Sequence, residues 1–228
     1  PFKDYVICYS VGKNSKYDDG DADQLVDILN KASVAFGVKF SEPGFITCDT
    51  QINSWKSEIE KDIAKNGKPQ IIILYFQPFE EKFYGELKRY ITCELKLPCQ
   101  GIKRKTILKS KNPMSAASKI IIQMNQKIGG TAWEIIPSEA SKYAYKKRTM
   151  YGALAISKGK KGFTLAFVGT LDSTFTKVFS YCKTGYKSKE NIAEKDLEAM
   201  FMNWAKNYVI ANQAGPELIM IYREGLSK

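Results

Sequence analysis

The sequence predicts an α/β protein made of two successive domains. Over roughly the first 130 residues, short strand-like runs alternate with helical periods, which is typical of a layered sheet-and-helix domain. Residues 70–76, QIIILYF, are continuously apolar, as expected for a strand buried on both faces of a parallel sheet. From about Met150 the pattern changes to three strand-like runs separated by short polar turns, which indicates an antiparallel meander.

The elements of the first domain follow one another along the chain. We predict a strand over 4–10, a helix ending at Gly37, an extended segment over 38–47, a helix carrying Trp55, Ile59 and Ile63, and the strand 70–76. A helix over 79–97 then places Phe83, Leu87, Ile91 and Leu95 on one buried face. Asn112 and Pro113 are typical of a helix N-cap and first turn, and Gly129 with Gly130 of its end.

The second domain is predicted to hold four strands and one long helix. The strands of the meander are expected over 150–157, 163–171 and 176–182. A helix over about 192–211 carries Leu197, Met200, Trp204 and Tyr208 on one face. Pro216 then introduces the run ELIMIYRE, which we interpret as another buried strand.

The charge of the chain is concentrated in its middle third. The 228 residues carry a formal net charge of +11, but residues 82–161 alone hold 18 basic and 4 acidic side chains. A block of +14 predicts a polyanionic partner, because basic side chains release the counterions condensed on a nucleic acid. A generally basic surface would spread the charge more evenly.

Several classes of chemistry are excluded by residue usage. The chain has no histidine, which removes imidazole-dependent triads and makes a zinc site unexpected. Its 5 cysteines are scattered and odd in number, as in a reduced cytoplasmic or nuclear protein. No run of 18 apolar residues and no apolar leader are present, and neither GxGxxG nor GxxxxGK follows a strand. A first residue other than Met suggests a fragment.

Five polar residues of the basic block are spaced so that they can share one pocket. Tyr84 and Lys88 are one helical turn apart, as are Gln123 and Lys127 on the later helix, while Gln100 opens a short strand between them. A tyrosine ring beside an ammonium group suits the end of a nucleic acid, since the ring stacks on a base and the ammonium binds a phosphate. Taken singly, a Tyr and a Lys one turn apart are usually a solvated helix face, and a Gln at a strand start usually satisfies local backbone groups; together the five residues predict a phosphate site.

The strings around these residues resemble a known family. YGELK, CQGIKRKTI and KIIIQMNQKIGGTAW are similar to the MID domain of the Argonaute and Piwi family, and TMYGALAIS, VGTLDSTFTKVFS and PELIMIYREGLS are similar to the first half of its PIWI domain. The resemblance implies a Rossmann-like MID domain over 1–137 and a partial ribonuclease H-like PIWI domain over 138–228.

The resemblance implies a guide-binding role for the predicted pocket. Tyr84 would stack on the first base of a small guide RNA, while Lys88, Gln100 and Lys127 would bind its 5′ phosphate. Gln123 stands where the Piwi branch has a glutamine and the Argonaute branch a lysine. The partners would be the guide RNA and a target RNA paired with it.

The basic cluster Lys146, Lys147 and Arg148 lies at the predicted junction. It would run beside the guide backbone, or form a solvated linker; the two interpretations are compatible.

The same resemblance indicates that this chain does not cut RNA, because the residues at the family's catalytic positions are altered. Nucleases of this fold hold two divalent cations with acidic residues, so Mg²⁺ is implied at the catalytic site or at the guide phosphate. Ala155 stands at the first catalytic aspartate, and a methyl group cannot bind a metal. Glu224 replaces the second aspartate and would be a weak ligand, and Ile192 falls where a further glutamate is expected.

Three interpretations of function therefore remain at the level of sequence. The first is a binding module that anchors the 5′ phosphate of a guide RNA. The second is a guide-directed endoribonuclease that is inactivated or incomplete in this form. The third, independent of the resemblance, is an α/β sensor of a small phosphorylated ligand.

Overall fold

The computed structural model describes residues 2–11, 20–77, 80–134, 148–160, 162–188, 192 and 194–223. The chain divides into two compact units, Pro1–Ala132 and Trp133–Lys228. The domain border predicted after residue 137 lies within 135–147, outside the described residues.

The first unit is built on a parallel sheet of four strands in the order β2-β1-β3-β4. These strands are β1 (Tyr5–Ser10), β2 (Gly44–Cys48), β3 (Ile71–Phe76) and β4 (Cys99–Lys103). Every residue of β1 and β3 is buried, as the apolar run at 70–76 predicted for β3. The carboxyl end of β3 and the strand β4 beside it carry the residues on which the predicted pocket depends.

Among the described residues, five α-helices accompany this sheet, and they cover both of its faces. They are α1 (Gly20–Ser33), α2 (Ile52–Asn66), α3 (Glu81–Arg89), α4 (Arg104–Leu108) and α5 (Pro113–Lys127). One core joins α1, α4 and α5 to the sheet through Leu25, Ile107 and Ile121, and the other joins α2 and α3 through Trp55 and Leu87. The two helices that were expected to carry the pocket, α3 and α5, therefore lie on opposite faces of the sheet.

The boundaries of α3 and α5 follow from local chemistry. The helix predicted over 79–97 is an α-helix, Glu81–Arg89, that continues into a π-helical turn, Tyr90–Glu94. Phe83, Leu87 and Ile91 are buried as expected, whereas Leu95 lies just beyond the turn and is only partly buried. Asn112 caps α5 as predicted, since its Oδ1 accepts a hydrogen bond from the backbone N of Ser115 at 3.0 Å.

The second unit contains the predicted meander. Its strands are β5 (Thr149–Gly159), β6 (Gly162–Thr170), β7 (Val178–Tyr186) and β8 (Leu218–Arg223). Strand β6 pairs antiparallel with both β5 and β7, and β8 pairs parallel with β5. Helix α6 (Glu194–Asn212) packs Met200, Trp204 and Tyr208 against the sheet. Gly169 makes this contact possible, because a Cβ there would lie 2.3 Å from an indole atom of Trp204.

The prediction that β8 is buried is wrong. Its apolar side chains Leu218, Ile219, Met220, Ile221 and Tyr222 are 37% to 61% exposed. An apolar run is buried only when other elements cover it, and β8 is the last strand of the order β7-β6-β5-β8, with one neighbour among the described residues.

Within the described part of the chain, no helix has the length and apolar character needed to cross a membrane.

Candidate functional site

The Tyr84 ring packs against two strands of the sheet, on Phe76 of β3 and on Gly101 of β4. The ring stacks on Phe76 of β3, with 5.1 Å between ring centroids and 23° between planes, and it is half-buried. On β4, Gly101 lies under the same ring, so a Cβ at residue 101 would be 2.5 Å from Tyr84 Cε2. The glycine is therefore required for this close approach. Burial raises the pKa of Tyr84, so its hydroxyl is a neutral hydrogen-bonding group at physiological pH.

Lys88 follows Tyr84 by one helical turn and keeps its ammonium group at the surface. The Nζ atom lies 5.9 Å from the centroid of the Tyr84 ring. No described residue forms an ion pair with Lys88. Its positive charge is therefore uncompensated within the described structure.

Gln100, Gln123 and Lys127 form one hydrogen-bonded group between β4 and α5. Lys127 Nζ donates to the backbone carbonyl of Cys99 at 2.7 Å and to Gln100 Oε1 at 2.8 Å. Gln100 Nε2 donates to the carbonyl of Gly101 at 3.0 Å and to Gln123 Oε1 at 3.2 Å. Gln100 is only 5% exposed, whereas Gln123 and Lys127 are exposed residues of the helix.

The electrostatics of the group favour an anion. Burial lowers the pKa of Lys127, and the positive charge of nearby Lys88 lowers it further. Like Lys88, Lys127 has no ion pair with a described residue. Burial also raises the pKa of the Cys99 thiol to about 11, so this cysteine adds no negative charge near neutral pH. Two ammonium groups that repel each other, with no carboxylate paired to either among the described residues, form a site that a phosphate would stabilise.

The structure thus brings together the five residues that the sequence singled out. Sequence reasoning missed two participants, the carbonyl of Cys99 that holds Lys127 and the glycine at position 101. A glycine inside a strand, directly after Gln100, is the signal for close approach that was available in the sequence.

The basic cluster at the junction is only partly described. Lys146 and Lys147 lie outside the described residues. Arg148 is described, and its guanidinium is engaged within the second unit: Nε donates to the carbonyl of Gly215 at 2.9 Å, and a terminal nitrogen lies 2.9 Å from Glu217 Oε1. The contact of this cluster with a guide backbone stays a prediction.

The position predicted for the first catalytic aspartate holds an exposed alanine. Ala155 lies on β5 and pairs with Ala166 of β6. The described ladder between β5 and β8 ends with the pair Leu154 and Arg223, and Glu224 lies outside the described residues. Within the described ranges, no group of three or more His, Cys, Asp or Glu residues is arranged to hold a metal ion. The residues present there do not fit a two-metal centre.

Comparison with known proteins identifies the family. The family profile described as the Piwi domain matches residues 71–228. Protein argonaute-3 of Drosophila melanogaster is 26% identical over 208 residues, and Piwi-like protein 1 of Danio rerio is 27% identical over 207 residues. Each alignment covers 90% of this chain, but the chain spans only 23% of the length of each relative.

Solved structures share the fold. The MID-PIWI domains of Neurospora crassa QDE-2 match with a TM-score of 0.77 at 17% identity, over 99% of this chain and 64% of that one. Kluyveromyces polysporus Argonaute with a guide RNA matches with a TM-score of 0.75 at 15% identity, over 99% of this chain and 27% of that one. These likenesses agree with the mixed α/β fold with two sheets that the structure shows. Because the Piwi domain profile matches more than half of its residues, the chain belongs to the Argonaute/Piwi family.

Proposed function

We propose that this chain anchors the 5′-phosphorylated end of a small guide RNA in RNA-guided silencing. The observation that carries the proposal is the pair of ammonium groups, Lys88 and Lys127, without carboxylate partners among the described residues and beside a tyrosine ring fixed on the sheet. A terminal phosphate carries about two negative charges near neutral pH, so it complements two ammonium groups.

Each side chain has a distinct task in this proposal. The exposed Lys88 and the remaining N–H of Lys127 bind phosphate oxygens, and the Tyr84 ring receives the first base by stacking. A 5′ hydroxyl offers no negative charge to the ammonium groups, so the site distinguishes guides by their terminal phosphate. The K. polysporus Argonaute, which shares the fold, was solved with a guide RNA, which supports guide binding as the function. Pairing of a target RNA with the held guide belongs to the same proposal.

Divalent metal ions are used by members of the family, and Mg²⁺ is the ion implied for this one. The five pocket residues supply ammonium, amide and phenol groups but no carboxylate, so they do not fit a metal ion by themselves. Ala155 on β5, where the resemblance implies a catalytic aspartate, supports a binding role without RNA cleavage for this chain.

The proposal is tested by the affinity of the chain for a short single-stranded RNA with a 5′ phosphate or a 5′ hydroxyl. We expect tighter binding of the phosphorylated RNA. In Lys88→Ala the ratio of the two affinities should fall about tenfold, since a hydrogen bond to a charged group contributes about 1.5–3 kcal/mol. The exposed Lys82 of the same helix provides the matched control, and Lys82→Ala should keep the preference.

The outcomes separate guide anchoring from a merely basic surface and from a sensor of small phosphorylated ligands. Equal binding of both RNAs would contradict the proposal and leave only a basic surface. Binding of a mononucleotide as tight as that of the RNA would instead support a sensor of small phosphorylated ligands. Strong dependence of affinity on RNA length and salt is the result expected for a guide-binding module.

A further inference from the structure

Strand β2 (Gly44–Cys48) forms one edge of the first sheet. In the order β2-β1-β3-β4 it pairs only with β1 among the described strands. Alternate residues of such an edge leave their backbone N–H and C=O groups on the outer side, where another strand can pair with them. The proposed guide site uses β4, which lies at the opposite edge of the sheet. The β2 edge is therefore a separate surface of the same unit.

Helix α2 (Ile52–Asn66) forms one wall of a groove along this edge. The groove has a volume of about 200 Å³ and runs between residues 45–47 of β2 and one face of α2. Four charged residues of α2 line it: Glu58, Lys61, Asp62 and Lys65. Their spacing of i, i+3, i+4 and i+7 places them on a single face of the helix. Charged side chains therefore follow the open strand edge along the groove.

The charges of this helix face are complementary to a second copy of the same face. Along α2 their signs alternate as minus, plus, minus, plus. The reversed order is plus, minus, plus, minus, so an antiparallel copy places opposite charges together at every position. Glu58 then meets Lys65 of the second copy, and Lys61 meets its Asp62, each contact occurring twice by symmetry. A parallel copy in the same register would instead place like charges together.

The strand and the helix face share one centre of symmetry. A twofold axis that passes between Lys61 and Asp62 on the helix face also passes near Ile46, the middle residue of β2, since the same groove holds all three. Antiparallel pairing of β2 about that point places Ile46 opposite its copy and Phe45 opposite Thr47. Phe45 is 43% exposed, so this pairing would cover an exposed aromatic ring with a β-branched side chain, a favourable cross-strand pair.

The contacts already present within the helix do not prevent this exchange. Lys61 Nζ lies 2.6 Å from Glu58 Oε1, and the two side chains are 67% and 35% exposed. Solvent-exposed pairs of this kind contribute little to stability, so replacing one by a contact with a second copy costs little.

We propose that two copies of this chain associate through antiparallel pairing of their β2 strands, with the charged faces of their α2 helices in contact. The pairing joins two four-stranded sheets into one continuous sheet. The inference does not depend on the proposed function. Its failure would leave guide binding untouched.

The first test is a charge exchange followed by sedimentation equilibrium. The wild-type chain should associate as its concentration rises. Lys61→Glu with Lys65→Glu makes the helix face wholly negative, and Glu58→Lys with Asp62→Lys makes it wholly positive. Each double variant alone should lose at least about tenfold in association constant, because all four contacts become repulsive. An equal mixture of the two should form heterodimers more tightly than the wild type dimerises, because all four contacts are then attractive.

A matched control changes the net charge by the same amount elsewhere. Lys109 and Lys119 are exposed, on or next to the helices α4 and α5 that cover the other face of the sheet. Lys109→Glu with Lys119→Glu should therefore associate like the wild type. A wild-type chain that stays monomeric at every concentration, a mixture that fails to associate, or an equal loss in the control would each overturn the inference.

The second test uses the wild-type chain and needs no tolerance of a mutation. Hydrogen exchange is measured on backbone amides at low and at high protein concentration. The outward-facing amides of β2 should exchange more slowly at high concentration, because they donate to the second copy, whereas the amides of β4 should not change. Association without added protection at β2 would overturn the inference.

Discussion

Replacing Gly101 by alanine tests whether the close packing of Tyr84 on β4 makes the site. The added Cβ would lie 2.5 Å from Tyr84 Cε2 and 2.8 Å from its Cζ and Oη. Ordinary carbon contacts are about 3.5–4.0 Å, so the ring must move by about 1 Å. It cannot move toward the sheet, because it is already stacked on Phe76.

The magnitude follows from these distances. Overpacking of this kind costs about 1–3 kcal/mol of folding free energy. Base stacking on an aromatic ring contributes about 1–3 kcal/mol per base, so a displaced Tyr84 should weaken RNA binding by about 5- to 150-fold. The helix residue Gly85 provides a matched control, because a Cβ there meets no atom within 4 Å. Gly85→Ala should stabilise the chain by about 0.5–1 kcal/mol and leave binding intact.

Two measurements decide the matter. Urea unfolding gives the stability of both variants, and fluorescence anisotropy with a labelled 5′-phosphorylated RNA gives their affinity. If Gly101→Ala unfolds at the same urea concentration as the wild type and binds RNA equally well, the argument that Tyr84 requires a glycine beneath it is refuted.

Three further predictions concern other residues. The preference for a 5′ phosphate should fall as pH rises toward 10.5, the ordinary pKa of lysine, because the pKa of Lys127 is lowered and its positive charge is lost at a lower pH. The affinities are measured across this pH range with a 2′-O-methylated oligonucleotide, which resists alkaline hydrolysis. A preference that stays constant up to pH 10.5 would contradict the prediction. Asp172→Ala should destabilise the second unit by about 1–3 kcal/mol in urea unfolding, because Asp172 accepts hydrogen bonds from Thr176 and the Lys177 backbone. Burial alone would raise the pKa of Asp172, but these hydrogen bonds lower it below 3.8, so its contribution is present above that pH and lost as pH falls through the lowered pKa; an unchanged unfolding midpoint in the variant would refute this. Ala155→Asp should remain unable to cleave a guide-paired target with Mg²⁺ or Mn²⁺ in a gel assay, since one aspartate and the weak ligand Glu224 do not hold two metal ions; specific cleavage would favour the endoribonuclease interpretation.

The architecture was predictable because it depends on local periodicity. Alternation of helices and strands, the apolar run of β3 and the cap at Asn112 are all properties of neighbouring residues, and the structure confirms them. The exposure of β8 was not predictable, because burial depends on which elements cover a strand.

The residues of the site were predictable from the sequence, but the hydrogen bonds between them were not. Helical spacing and the family resemblance grouped Tyr84 with Lys88, and the structure places the Tyr84 ring over Gly101, the residue after Gln100 on β4. The hydrogen bonds of Gln100 join residues separated by 23 and 27 positions, so they arise only after α5 has packed beside β4. Sequence spacing carries no information on such contacts, nor on the pairing of Arg148 with Glu217.

The central claim, that Lys88 and Lys127 bind a terminal phosphate, is tested most directly by ³¹P NMR of a 5′-phosphorylated RNA bound to the chain. Two ammonium groups stabilise the dianion, so the second pKa of the bound phosphate should fall below its ordinary value of about 6. The shift should shrink in Lys88→Ala. A bound RNA whose terminal phosphate titrates as it does in free solution would contradict the account.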